Sequence, residues 1–287
     1  MIKNIKNNSK LYALGILAAV NFLIWFAVFA EERRGLMTVS FFDVGQGDAI
    51  FIQSPTGRQV LIDGGPDRKV IRGLSGAMPF YDRSIDVVIA THPDKDHIGG
   101  LPEIFDRYKV STFIESGVKS SSGIQNALKE IVKNENSKQL LARRGMIIDI
   151  GGGAFLKVLF PDRDIPEIDS NNASVIIRLT YGQTSFLLTG DSPQSIEEYL
   201  VLIDGENLDS DVLKVGHHGS KTSSSQLFVG FVSPEYAVIS VGADNKYGHP
   251  NKETIQVLED MESKIISTGE SGTIIFESDG NSIIVDN

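Results

Sequence analysis

Thr91-His-Pro-Asp-Lys-Asp-His-Ile-Gly-Gly100 decides how this chain is read. It places His92, Asp94, Asp96 and His97 within six positions, directly after the apolar run Ile85-Asp-Val-Val-Ile-Ala90. That run has the length and composition of a buried strand. Two imidazoles and two carboxylates at a strand end can converge on metal ions. A solvated charge cluster has no need of two histidines from a chain that has only five. Cysteine is absent, which excludes disulfides and thiolate ligands, so a metal here is held by oxygen and imidazole nitrogen.

Four further segments repeat the pattern. Leu61-Ile-Asp63-Gly-Gly65 puts a carboxylate at a strand end, before glycines that allow a tight turn. Phe186-Leu-Leu-Thr-Gly-Asp191 is an apolar strand ending in Gly-Asp, and Val212-Leu-Lys-Val-Gly-His217-His218-Gly-Ser220 is one ending in two histidines. Tyr247-Gly-His249-Pro250 places the last histidine in a loop after a strand ending at Val241. All five histidines therefore fall in loops just after strands. A purely structural set would scatter more.

Between these segments the patterning predicts strands at 37–42, 48–53, 59–62, 155–160, 174–180, 184–188, 212–215, 236–241, 264–267, 273–277 and 282–285. Tyr181-Gly-Gln183 makes a hairpin of the pair around it. Helices are predicted at 101–108, 123–141, 193–203, 224–232 and 252–261. Meandering strands interleaved with single helices imply an α/β fold of two mixed sheets covered by helices.

Apolar residues make up 41% of the 287 and charged residues 22%, as in ordinary globular proteins. Residues 11–30 carry no charge and match the hydrocarbon thickness of a bilayer. Asn21 is the one costly residue in that span, and a single amide is tolerated. Lys3, Lys6 and Lys10 precede the span, while Glu31, Glu32, Arg33 and Arg34 cancel after it. The positive-inside bias then leaves the N-terminus cytoplasmic and the remainder extracytoplasmic, a single-pass cell-membrane protein. Val28-Phe-Ala30 also resembles a signal-peptide cleavage site, but the apolar region is longer than a signal core and favours an uncleaved anchor. The chain divides accordingly into residues 1–35, a cytoplasmic stub, anchor and linker, and residues 36–287, a globular domain. The formal charge is −10 overall; residues 1–34 carry a net +3, which leaves −13 for the remainder. Broad, nonspecific polyanion binding is disfavoured, and a nucleic-acid contact needs a local basic strip or bound metals.

The order Asp-Gly-Gly, His-x-Asp-x-Asp-His, Thr-Gly-Asp, His-His-Gly-Ser resembles the metallo-β-lactamase superfamily. Within it, Asp43-Val-Gly-Gln-Gly-Asp48, Thr91–Gly100, Leu187–Asp191, Asp211–Ser220 and Tyr247–Pro250 resemble the hydrolase domain of ComEC-type DNA-uptake competence proteins. The resemblance covers about residues 36–287. It implies a four-layer αβ/βα sandwich with the site at one edge of the two sheets; apart from the resemblance, three histidines and three aspartates suit two divalent metal ions, Zn²⁺, Mn²⁺ or Fe²⁺, with Zn²⁺ or Mn²⁺ the expectation. Asp191 matches the carboxylate that bridges them, and His217 the last ligand. Asp96 and His97, with Asp191 and His217, are assigned to the better-formed metal; His92 and Asp94, again with Asp191, to the other. The chain departs from the superfamily pattern at Asp94, where a histidine is usual. It also has no histidine between His97 and His217, a region held instead by Asp169-Ser-Asn171-Asn172-Ala-Ser174.

Asp96 is a candidate for orienting the attacking hydroxide. His218 either binds phosphate or donates a proton, or only bonds its loop. His249 either donates to the leaving group or orders residues 245–250. Ser220 contacts substrate or caps the next helix, Asp63 supports the histidines, Asp43 and Asp48 fix the Gly-Gln-Gly turn, and Lys214 has no role. The leading expectation is a metal-dependent phosphodiesterase acting on single-stranded DNA beside a polytopic channel partner. Two other readings stay open: a hydrolase of small esters or lactones, and a non-catalytic metal-binding accessory module.

Overall fold

A computed structural model describes residues 2–30, 35–120, 122–165 and 167–286, with side chains described from Ser9 to Phe26 and from Gly35 onward. Two compact units emerge, Met1–Arg34 and Gly35–Asn287. The first holds one helix, α1 (Ile2–Ala30). Every described side chain from Ser9 to Phe26 is exposed, and that stretch is long and apolar enough to cross a membrane. Asn21 turns its amide back on the carbonyl of Leu17, 3.0 Å away, which lessens the cost of a polar group there. Apart from Gly35, the linker expected at 31–35 lies outside the described residues.

The second unit begins with β1 (Met37–Phe41), β2 (Ile50–Gln53) and β3 (Gln59–Ile62), an antiparallel meander. It continues through α2 (Lys69–Ala77), β4 (Ser84–Ala90), α3 (Lys95–Ile98), α4 (Leu101–Arg107), β5 (Lys109–Glu115), α5 (Gly123–Asn134) and β6 (Lys138–Leu141). Strands β3 to β6 run parallel. A second sheet repeats the plan: β7 (Ile147–Gly151), β8 (Ala154–Phe160), β9 (Ile176–Tyr181) and β10 (Thr184–Leu188) meander. Then α6 (Gln194–Asp204), β11 (Val212–Lys214), α7 (Gln226–Val232), β12 (Tyr236–Ile239), α8 (Lys252–Asp260), β13 (Lys264–Ser267) and α9 (Thr268–Ser271) follow, with β10 to β13 parallel. The chain returns to the first sheet through β14 (Ile274–Ser278) and β15 (Ile283–Asp286), β14 pairing antiparallel with β1.

Alternation along the strands makes the layers. Val39, Phe41, Ile50, Ile52, Phe186, Leu188 and Phe276 face the other sheet in one shared core. Phe51 and Leu61 turn outward to meet Leu74, Leu101, Phe105 and Leu128 of the covering helices. In the second sheet Leu187 and Leu213 turn outward to meet Leu200, Phe228 and Leu258. The order is helix, sheet, sheet, helix. Phe276 anchors the centre edge-on to Phe41 and Phe186, with centroids 5.9 and 5.8 Å away.

Several elements differ from the sequence reading. The helix expected over 123–141 stops at Asn134, and its last four residues are β6. Asn136, in the left-handed region at φ 53°, makes the break. Strands β5 and β7 and helix α2 have no counterpart among the expected elements.

Candidate metal centre

The site lies at the carboxyl ends of the parallel strands, where an open α/β sheet leaves a crevice. Strand β4 delivers Thr91–His97, β3 delivers Asp63, β10 delivers Asp191, and β11 delivers His217 and His218. The loop after β12 brings His249. Close backbone approach sets the turns. Gly47, at φ 133°, lies so near the Asp96 carbonyl that a Cβ would stand 2.1 Å from it, and at Gly100 a Cβ would stand 2.1 Å from the Gly64 carbonyl.

Donor atoms of Asp96, His97, Asp191 and His218 all lie within 4.8 Å of one another. The Nε2 atoms of His92, His97 and His218 and Oδ1 of Asp191 are buried without a hydrogen-bond partner. His97 Nε2 is 3.2 Å from Asp191 Oδ1, and His218 Nε2 is 3.4 Å from both Asp96 Oδ2 and Asp191 Oδ2, yet neither ring nitrogen makes a hydrogen bond there. Leaving several such groups unpaired in a core costs a few kcal/mol unless something between them supplies positive charge. The donor set therefore fits a divalent metal.

The opposite ring nitrogens are fixed. His97 Nδ1 bonds to Asp63 Oδ2 at 2.7 Å, and Asp63 also accepts from the Thr91 amide at 2.8 Å and its hydroxyl at 2.7 Å. His218 Nδ1 donates to the Ser240 carbonyl at 2.8 Å. His92 Nδ1 meets the Thr91 hydroxyl at 3.0 Å and the Ser174 hydroxyl at 3.4 Å. Such outer partners turn each Nε2 lone pair toward the cluster. Ser174 also accepts from the Asp191 amide at 3.1 Å, so the loop at 169–174 braces the site through a hydroxyl.

His217 stands apart from its neighbour. Its side chain is 29% exposed, and its Nε2 is 3.8 Å from Asp191 Oδ2. The ring that joins Asp96, His97 and Asp191 is His218. His92 Nε2 is 3.7 Å from Asp94 Oδ2 and 3.9 Å from Asp191 Oδ2, a looser second grouping.

Two residues enter the site unexpectedly. Lys214, given no role above, is wholly buried; it donates to the Gly190 carbonyl at 3.0 Å, pairs closely with Asp48, and lies 3.7 Å from Asp191 Oδ1. Asp48 is correspondingly not a turn residue: its carboxylate is 3.8 Å from His97 Nδ1 and 3.5 Å from His218 Nδ1. Asp43 does hold the turn, accepting from the Gly45 amide at 3.0 Å. Ser220 bonds within its own loop, and Ser225 caps α7. The signal for Lys214 was its place on the inward face of β11, two residues from core Val212. Donor atoms of Asp48, Asp63 and His97 also lie within 4.8 Å, but the Lys214 ammonium already occupies that side.

Charge is tightly organised. For His97, burial opposes protonation, but Asp191 and Asp63 outweigh it and raise the ring well above its usual range. His218 is likewise opposed by burial and raised to about 9 by Asp191 and Asp96. Asp96, despite burial, is held down at about 2 by His218 and His97. Burial, together with His97, drives His92 well below its usual range. His249 is lowered by burial and then by His217. The carboxylates demand positive charge, and protons on His97 and His218 compete with a metal for that place.

The profile of the metallo-beta-lactamase superfamily matches residues 42–243, and the chain belongs to that superfamily. It is 32% identical over 283 residues to ComE operon protein 3 of Bacillus subtilis (strain 168), covering 91% of this chain and 35% of that protein. It is 32% identical over 249 residues to competence protein ComA of Neisseria gonorrhoeae, covering 85% of this chain and 32% of that one. The chain thus spans about a third of the length of these relatives. In fold it is similar to CmlA, a diiron β-hydroxylase from Streptomyces venezuelae, with a TM-score of 0.54 and 15% identity over 80% of this chain and 52% of that one. It is a metallo-β-lactamase-fold protein related to competence proteins.

Proposed function

We propose that the chain is a metal-dependent phosphodiesterase that cleaves single-stranded DNA. In this reading residues 11–30 anchor it in the cell membrane, the hydrolase domain lies outside the cytoplasm, and a polytopic channel partner supplies the strand. The observation that carries the reading is the donor set Asp96, His97, Asp191 and His218, two carboxylates and two imidazoles with donor atoms within 4.8 Å of one another and all but Asp96 buried. The DNA substrate is supported by similarity to proteins named for competence.

Asp96, His97, Asp191 and His218 would hold one ion, and His92, Asp94 and Asp191, with His217 at the edge, the other. Donors of this mixture suit Zn²⁺ or Mn²⁺. Divalent ions in such a site supply Lewis acidity and a water of lowered pKa. The chain's own residues do the rest. Asp63 and the Ser240 carbonyl hold the Nδ1 protons of His97 and His218, so neither ring can rotate. Asp96 is the most exposed of the four at 35%, and would accept the proton of an attacking water. Lys214 holds Asp48 and one side of Asp191, and keeps the carboxylates from repelling one another. His249, at the rim, would donate to the leaving group.

The test is hydrolysis of single-stranded DNA by the detergent-solubilised full chain with Mn²⁺ or Zn²⁺. Asp191→Ala is expected to abolish it. A well-folded wild type that stays inactive across divalent metals overturns the proposal.

A further inference from the structure

The rings of the site form a continuous row that ends on a residue outside the metal chemistry. Centroids of His92 and His97 are 4.1 Å apart, His97 and His218 5.3 Å, His218 and His217 6.1 Å, and His217 and His249 5.9 Å. Beyond His249 stands Tyr247, 6.0 Å away and within 12° of parallel.

Tyr247 has no structural reason to be there. It is 71% exposed, belongs to none of the hydrophobic clusters, and its hydroxyl makes no hydrogen bond among the described residues. The loop that carries it is nevertheless braced. Asn245 accepts from the amides of Tyr247 at 3.2 Å and His249 at 3.0 Å, and donates to the carbonyls of Gly242 at 3.0 Å and His249 at 2.6 Å. One side chain thus satisfies both ends of the loop and holds an exposed phenol in place, the arrangement of a preorganised contact. Lys246 beside it and Lys221 across the histidine loop are exposed cations in a domain of net negative charge.

We infer that the Tyr247 ring is the stacking seat for a nucleobase next to the phosphate held at the metal centre. This rests on the phosphodiesterase reading above and gives its preference for single strands a named residue. A flat ring can take the face of any base, but only where that base is free of its own stack, so the seat selects single strands over duplex. Lys246 and Lys221 are placed to offset the phosphates on either side.

The test measures binding apart from cleavage. Fluorescence anisotropy would follow a labelled oligodeoxythymidylate, the same strand carrying abasic sites, and a duplex, each with the detergent-solubilised full chain in Ca²⁺. The wild type should bind the intact strand roughly tenfold more tightly than the abasic one, a typical effect for one stacked base. Tyr247→Ala should bring that ratio close to one, and Tyr247→Phe should keep it. A ratio unchanged in Tyr247→Ala, lost in Tyr247→Phe, or absent from the wild type overturns the inference. Cleavage in Mn²⁺ is read in parallel. A wild type that shows the binding ratio but cleaves nothing counts against the phosphodiesterase and leaves the stacking seat standing.

Discussion

His217 and His218 are adjacent, and both have positive φ, 48° and 55°. Two left-handed residues in succession are costly for side chains other than glycine, and such strain persists where surrounding contacts impose it. Here it turns two neighbouring rings to different surroundings, one buried against Ser240 and the carboxylates, one half open against Thr222. His218→Ala should therefore lose the tighter-bound metal equivalent, whereas His217→Ala should keep it. Elemental analysis of each purified variant decides, and retention of full metal in His218→Ala would refute the assignment. From the sequence His217 was the expected ligand and His218 a phosphate binder or proton donor; which ring points inward was not legible, because that depends on a backbone conformation that residue identity does not encode. Lys214 was hidden for a related reason. A lysine in an apolar strand reads as a surface residue until the carboxylate that meets it, Asp48 in the loop before β2 of the other sheet, is brought beside it.

At the scale of elements, β3, β10 and β13 were legible because apolar runs between turn residues leave little choice. Strand β5 was not, since Lys109 and Glu115 at its ends and Ser111 and Thr112 within it blur the pattern. The α5–β6 boundary was lost because Leu140 and Leu141 extend the apolar face of the helix past its true end. Helix α6 carries a feature that its periodicity conceals. Glu197 is buried and accepts from the amides of Ser224 at 2.8 Å and Ser225 at 3.1 Å, tying α6 to the loop that follows the paired histidines. Burial outweighs those two bonds and raises Glu197 from 4.5 to about 8. Between those values the folded chain binds a proton that the unfolded chain releases. Stability from this group is full below the lower value and falls as pH rises, by at most about 1.4 kcal/mol per pH unit, levelling off above the upper one. Glu197→Gln should flatten that decline. Thermal melts from about pH 5 to about pH 9 measure it, and an unchanged slope would rule the residue out as its source.

Over the whole molecule, the two-sheet plan was legible from alternating meanders and single helices. The return of β14 to pair with β1 was not, because it joins residues far apart in sequence. That topology sets where a metal acts. Asp96 and His97 follow a strand of the first sheet, and Asp191 and His218 follow strands of the second. An ion held by all four fastens one sheet to the other, so its binding energy is also docking energy for the two halves. Removing divalent metal should lower stability by about 2.7 kcal/mol relative to protein at about a hundredfold excess of free metal over Kd. In a domain of this size that is a fall in Tm of roughly 5–10 °C. Calorimetry with and without EDTA reads the shift, and His218→Ala should abolish most of it.

The row of rings has a further consequence. The chain has five histidines, and all five stand in that row. Imidazole signals in a magnetic resonance spectrum, ligand-field bands of substituted Co²⁺, and acylation of imidazole nitrogen all report from this one place, with no background from the rest of the molecule. Because the chain has no cysteine, a thiol introduced at Tyr247 would carry the only such label. The protein comes already equipped to have this one site watched when a metal or an oligonucleotide is added.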